Sequence, residues 1–173
     1  RSAMIENGKV STLNVEHDSE PNFIGNIYKA SFARKTNGPQ FINIGDNQKA
    51  FINSLRCKSE DTPIVQIVRN SMDSKAIKVT DSPVLVGHYV IATPHSTKIR
   101  ISRKVTDPIE QEQLHTLGKK ICDNKFGGFK LRSSATSASE IVIRQELQKL
   151  YNKWSEVQLK AKSHTAPLLL ARG

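Results

Sequence analysis

The sequence predicts an α+β protein, a small OB-fold β-barrel carried by a separate α/β portion. Three observations predict it. Five short β-like runs crowd between Phe23 and Val79, two amphipathic helical patterns follow Asp107, and further short strands precede and separate those helices. The five runs are Phe23–Phe32, Gln40–Ile44, Ala50–Leu55, Pro63–Arg69 and Ala76–Val79. Turns at Asn37-Gly38-Pro39, Gly45-Asp46-Asn47 and Asn70–Ser74 separate them, where glycine, proline and asparagine supply turn conformations. Many short strands in so little chain are resolved by closing the sheet, and five strands make an OB barrel.

The remaining elements follow in order. Residues 8–17 alternate loosely, as an edge strand or hairpin arm does. Strands are expected at His88–Ala92, Lys98–Ser102 and Phe129–Arg132. The first helix starts at Asp107, an acidic N-cap followed by Pro108, and runs to about Cys122 with Ile109, Leu117 and Ile121 near one face. The second takes Ser137 as N-cap, and its stripe of Ile143, Leu147, Leu150, Trp154 and Val157 keeps a 3.6-residue period that reads as core packing. Residues 163–173 look extended, with Leu168–Leu170 lacking an evident partner.

Charge bounds the function. Of 173 residues, 26 are Lys or Arg and 16 are Asp or Glu, giving +10 and a pI near 9.8. The excess is spread, with nine basic and five acidic side chains in 22–81 and nine and four in 87–134, so the folded surface itself is basic. Such a surface favours a polyanionic partner. No apolar run approaches the roughly 20 residues that span a bilayer, and the apolar stripe of 140–162 is accounted for by core packing rather than by membrane docking. Cys57 and Cys122 form no paired motif and read as reduced, partly buried thiols of a cytoplasmic protein. Asp61, Asp73, Asp81 and Asp107 lack the spacing of a two-metal site, and His17, His88, His95, His115 and His164 form no nucleophile–base or zinc pattern. The chain starts at Arg1 without an initiator Met or signal peptide, as the cut edge of a longer chain would.

Single-stranded RNA is gripped by stacking bases on aromatic rings within a basic groove, each stack contributing roughly 1–3 kcal/mol. Phe41 and Phe51 lie on neighbouring predicted strands, with Lys29, Lys49 and Arg69 available for phosphates. Composition alone favours the alternative, that both rings fill the barrel.

Eight short segments in order then resemble the amino-terminal region of the ribonuclease E/G family. Gly25-Asn26-Ile27-Tyr28-Lys29, Gln40–Gly45 and Ala50-Phe51-Ile52 are similar to the start of its S-one RNA-binding domain, and Val65-Gln66-Ile67 with Lys75–Thr80 to that domain's closing strands. Gly87–Pro94, Ile101–Val105 and Leu131–Ala135 resemble the segments that follow. The resemblance implies an S-one type five-stranded barrel (22–81) inserted into an RNase H-like α/β subdomain (1–21 and 82–173). It implies that Phe41 and Phe51 stack bases, with Arg69 and Lys75 beside them. It also implies that Arg132, Ser133 and backbone groups near Gly87 and Ile91 form a 5′-monophosphate sensor. Ser133-Ser134 stands where the family has Thr-Ala, which keeps the hydroxyl, and Ala135-Thr136-Ser137 replaces a glycine-containing loop.

The family cleaves RNA with a Mg2+-dependent subdomain and joins subunits through Zn2+. Neither segment lies in these residues, so the resemblance implies no catalytic or metal site here. It further implies a chain continuing past Gly173, a homo-oligomeric full-length protein, and single-stranded RNA, preferably 5′-monophosphorylated, as partner. The competing reading is a non-enzymatic S-one RNA-binding adaptor complete in itself.

Overall fold

A computed structural model describes residues 2–6, 9–14, 23–32, 40–45, 48–53, 62–71, 76–122 and 126–173, the first two spans through their backbone. Strand β1 (Ser2–Glu6) pairs antiparallel with β2 (Lys9–Asn14), so the leading run is one arm of a hairpin.

The barrel follows from alternation along short strands. These are β3 (Ile27–Lys29), β4 (Ser31–Phe32), β5 (Gln40–Asn43), β6 (Lys49–Ile52), β7 (Ile64–Arg69) and β8 (Ile77–Thr80). With the carboxy-terminal β13 (Leu168–Ala171), their sheet runs β13-β3-β7-β8-β6-β5-β4. Only Ala30 separates β3 from β4, so the run from β3 to β4 in this order starts and ends on one bent strand, and the sheet curls into an OB-like barrel. β6 and β8 are parallel, while the other barrel pairs are antiparallel. Inward positions at period two supply the core: Tyr28, Ala30, Ile42, Ile44, Ala50, Ile52, Val65, Ile67, Ile77 and Val79. Gly45 has φ +104°, where a side chain would be strained, and turns the chain between β5 and β6.

The α/β portion contains β9 (Leu85–Val86), β10 (Val90–Thr93), β11 (Ile99–Ile101), β12 (Gly128–Leu131), α1 (Pro108–Ile121) and α2 (Glu140–Ser163). The sheet order is β11-β12-β10-β9, and α1 is the crossover that joins parallel β11 and β12. Val90, Ala92, Phe129 and Leu131 share a core with residues of both helices, including Leu114, Ile121, Ile143, Leu147, Trp154 and Val157. Tyr151 donates to Gly128 O at 2.8 Å, and burial pushes its hydroxyl up to about 12.

Several expectations are corrected. Ile109 is 68% exposed, and α1 buries Leu114, Gly118 and Ile121 instead, because Ile109 sits in the first turn before the helix meets the sheet. Ser139, not Ser137, caps α2, since 133–137 forms a separate 3-10 turn. Tyr151 takes the buried place expected for Leu150, which is only partly buried. Leu168–Leu170 does have a partner, as β13 pairs antiparallel with β3. Cys122 is a free, exposed thiol, and Cys57 lies outside the described residues. Among the described residues no helix is long and apolar enough to cross a membrane.

The two portions are joined by specific polar groups. Gln66 is only 6% exposed; its amide donates to Gly25 O at 3.0 Å and Val84 O at 2.9 Å, and its carbonyl accepts from Val84 N at 2.9 Å. This clamps the connector leaving β8 to strand β7. Replacing Gln66 with Leu leaves the Val84 N–H and two carbonyls without these partners, each costing roughly 1–3 kcal/mol when buried. Gln66→Leu is therefore expected to lower unfolding stability in denaturant titration by about 3 kcal/mol.

Candidate nucleic-acid interface

The barrel's outer face is arranged by register. Phe41 is the cross-strand partner of Phe51, Phe51 of Lys78, and Lys78 of Arg69, which forms one row over β5, β6, β8 and β7. Inward residues flank each of the first three members, so the row faces away from the core. The rings lie 5.7 Å apart, tilted by 59°. Phe41 is 55% exposed and Phe51 half-buried beneath it, so neither fills the barrel; isoleucines and alanine do. An exposed phenylalanine supported by a second ring is a platform on which a flat base can stack. A bulge between Ile67 and Arg69 places Arg69, rather than Val68, opposite Lys78. Lys49 is exposed two residues from Phe51. Among the described residues, Lys49, Arg69 and Lys78 have no carboxylate partner.

One of the expected cations serves elsewhere. Lys29 donates to Ala161 O and His164 O, both at 2.7 Å, so its charge closes the carboxy-terminal end of α2. Lys75 lies outside the described residues. Lys78 is the member that sequence reading missed. Its flanking Ile77 and Val79 mark it as outward-facing, yet only the parallel β6–β8 pairing brings it beside Phe51.

The second candidate site gathers at the end of β12. Arg132 is half-buried; its Nη1 donates to Gly87 O at 2.5 Å and its amide to Tyr89 O at 2.8 Å. Ser133 is exposed and opens the 3-10 turn, while Ser134 Oγ donates to His88 O at 2.6 Å. Arg132, Ser133 and Gly87 are thus brought together. The main-chain cradle expected for a phosphate, however, is already filled. The Glu146 carboxylate accepts from His88 N, Tyr89 N and Val90 N at 2.7, 2.8 and 2.9 Å. Gly87 N donates to Val90 O, and Ile91 lies in the ladder between Val86 and Lys130. A Cβ on Gly87 would stand 2.6 Å from the Glu146 carboxyl carbon, so a side chain there would have to displace the Glu146 carboxylate. What remains for a terminal phosphate is the rest of the Arg132 guanidinium and the Ser133 hydroxyl, a fork and one donor.

Other groups have structural duties. Asp107 caps α1. Glu140, held below the usual carboxylate range chiefly by its 2.7 Å hydrogen bond from Lys120, ties the start of α2 to the end of α1. Asp61, Asp73 and His17 lie outside the described residues, and no cluster of three metal-ligating side chains occurs among the described ones.

A basic chain with an OB-like barrel, an outward aromatic and cationic row, and an appended α/β portion combines the features by which nucleic-acid-binding modules are recognised. Residues 84–173 match the model of the Ribonuclease E/G family, and the chain belongs to that family. It is 25% identical over 183 residues to Ribonuclease G of Haemophilus influenzae, with 91% of this chain and 37% of that protein covered. It is 24% identical over 189 residues to Ribonuclease G of Escherichia coli, covering 94% and 38%. With Ribonuclease E of a Nostoc species it shares 27% over 168 residues, covering 86% and 24%. The chain thus spans well under half the length of these relatives.

The three amide contacts of Glu146 are charge-assisted, and such bonds contribute about 1.5–3 kcal/mol each. A glutamine keeps one acceptor oxygen and turns an NH2 toward N–H groups. Glu146→Gln is expected to lower stability by about 2 kcal/mol and to speed amide hydrogen exchange at residues 88–90 selectively.

Proposed function

We propose that this chain is the RNA-binding and 5′-end-sensing part of a single-strand-specific endoribonuclease of the ribonuclease E/G type, acting in RNA processing and decay in the cytoplasm. The observation that carries the reading is the Phe41–Phe51–Lys78–Arg69 row, which sets stacking surface and phosphate charge side by side on one sheet face. Bases stack on Phe41 with Phe51 beneath, while Lys49, Lys78 and Arg69 neutralise the backbone. The barrel is of the S-one type, and residues 1–21 and 82–173 form its RNase H-like frame. At the second site the Arg132 guanidinium forks onto a 5′-monophosphate and Ser133 adds a donor. Glu146 already occupies the amides of residues 88–90, so discrimination rests on these two side chains. Mg2+ for cleavage and Zn2+ for subunit linkage act in a larger, homo-oligomeric protein, through residues outside this chain.

Oligonucleotide binding followed by fluorescence anisotropy tests this. The protein is expected to bind single-stranded RNA with affinity falling steeply as salt rises. Phe41→Ala lowers that affinity roughly 5- to 150-fold, the range of one lost stack. Arg132→Ala leaves binding of 5′-hydroxyl RNA intact and brings 5′-monophosphate RNA down to the same level. Equal wild-type affinity for the two 5′ ends removes the sensor, and no RNA binding at all removes the whole reading.

A further inference from the structure

We propose that the face of the four-stranded sheet turned away from both helices, together with the cleft at its edge, is a second RNA contact site, one that holds the phosphodiester backbone. The inference rests on the RNA-binding reading above and adds a site remote in sequence from the barrel row. Both helices share a core with one face of this sheet, through Val90, Ala92, Phe129 and Leu131. Alternation puts Arg100 and Lys130 on the other face, and these two are register partners on adjacent parallel strands. Like charges directly opposite one another destabilise a sheet unless an anion lies over them. Among the described residues neither has a carboxylate partner.

The cationic face continues into a cleft of about 470 Å³ between residues 82–84 and the turn joining β10 to β11. Lys98 and Arg100 supply charge there, and Ser82, Thr93, Ser96 and Thr97 supply hydroxyls; no carboxylate lines it. The carboxylate beside it, on Asp81, accepts from the Ser82 hydroxyl at 3.4 Å. Lys98 and Arg100 are two residues apart along an extended chain, roughly 6.6 Å on one side of it. Successive phosphates of an extended strand can meet them in turn. A small-molecule site of this volume is walled mainly by apolar side chains. Here His95, Thr97, Lys98 and Arg100 are exposed, and the lining is cationic and hydroxylated. That chemistry suits a strand passing through, read by charge and hydrogen bonds to phosphate rather than by base edges.

The test is the salt dependence of binding to single-stranded RNA oligonucleotides, for the wild type and the doubly substituted Arg100→Gln/Lys130→Gln protein. Each phosphate contact on a single strand contributes about 0.7 to the slope of log K against log salt. The double variant is expected to lose about 1.4 from that slope, for all sequences alike, and to unfold at no lower temperature than the wild type. A charge-matched control, Lys149→Gln/Lys162→Gln on the exposed side of α2, is expected to leave the slope unchanged. An unaltered slope in the first variant overturns the site. An equal drop in the control overturns it too, because net charge alone then explains the effect. Loss of binding to phosphatidylserine vesicles with the RNA slope unmoved assigns the face to a membrane and overturns the RNA site. If the wild type binds no RNA, the functional reading fails first and this inference with it.

Discussion

The structure depends on one bent strand that faces several ways at once. Residues 27–32 close the barrel because β3 pairs with β7 on one side while β4, a residue later, pairs with β5. Along the same few residues, Ile27 enters the core of the α/β portion and Tyr28 enters the barrel core. Lys29 turns to the end of α2, and Ala30, fully buried, leaves room for the bend. Barrel closure and attachment of the second portion are therefore one packing problem. β13 lies against β3 on its other side, so the carboxy-terminal strand is held by the same residues.

That arrangement explains how charge is distributed. A chain with ten excess positive charges must place cations where repulsion is tolerable or useful. Lys29 and Lys160 lie against main-chain carbonyls, at the end of α2 and on β13. Arg132 is fixed by Gly87 O, on the turn whose amides Glu146 holds from α2. Lys49, Lys78 and Arg69 on the barrel and Lys98, Arg100 and Lys130 on the sheet have no such partners among the described residues.

Local signals reached the sequence well. The 3.6-residue period marked Ile143, Leu147, Trp154 and Val157 as core. Asp107 followed by Pro108 located the start of α1 to the residue. For α2 the local pattern put the cap at Ser137, two residues early, because residues 133–137 form a 3-10 turn that runs up to the helix. Ile109 illustrates the other limit: periodicity says which residues share a face, not how far along a helix the neighbouring sheet extends.

The sequence by itself determined most element types, the core stripe of α2 and the family resemblance, since each is written in local periodicity or short motifs. Tertiary structure alone decided that Lys78 stands beside Phe51 and that Arg69 reaches Lys78 across a bulge. It alone decided that Lys29 serves a helix end 132 residues away and that Glu146 fills the amides once expected to cradle a phosphate. The physical reason is common to all four. Cross-strand register and long-range hydrogen bonds are set by how the whole sheet closes, and no window of neighbouring residues encodes which distant partner a side chain will meet.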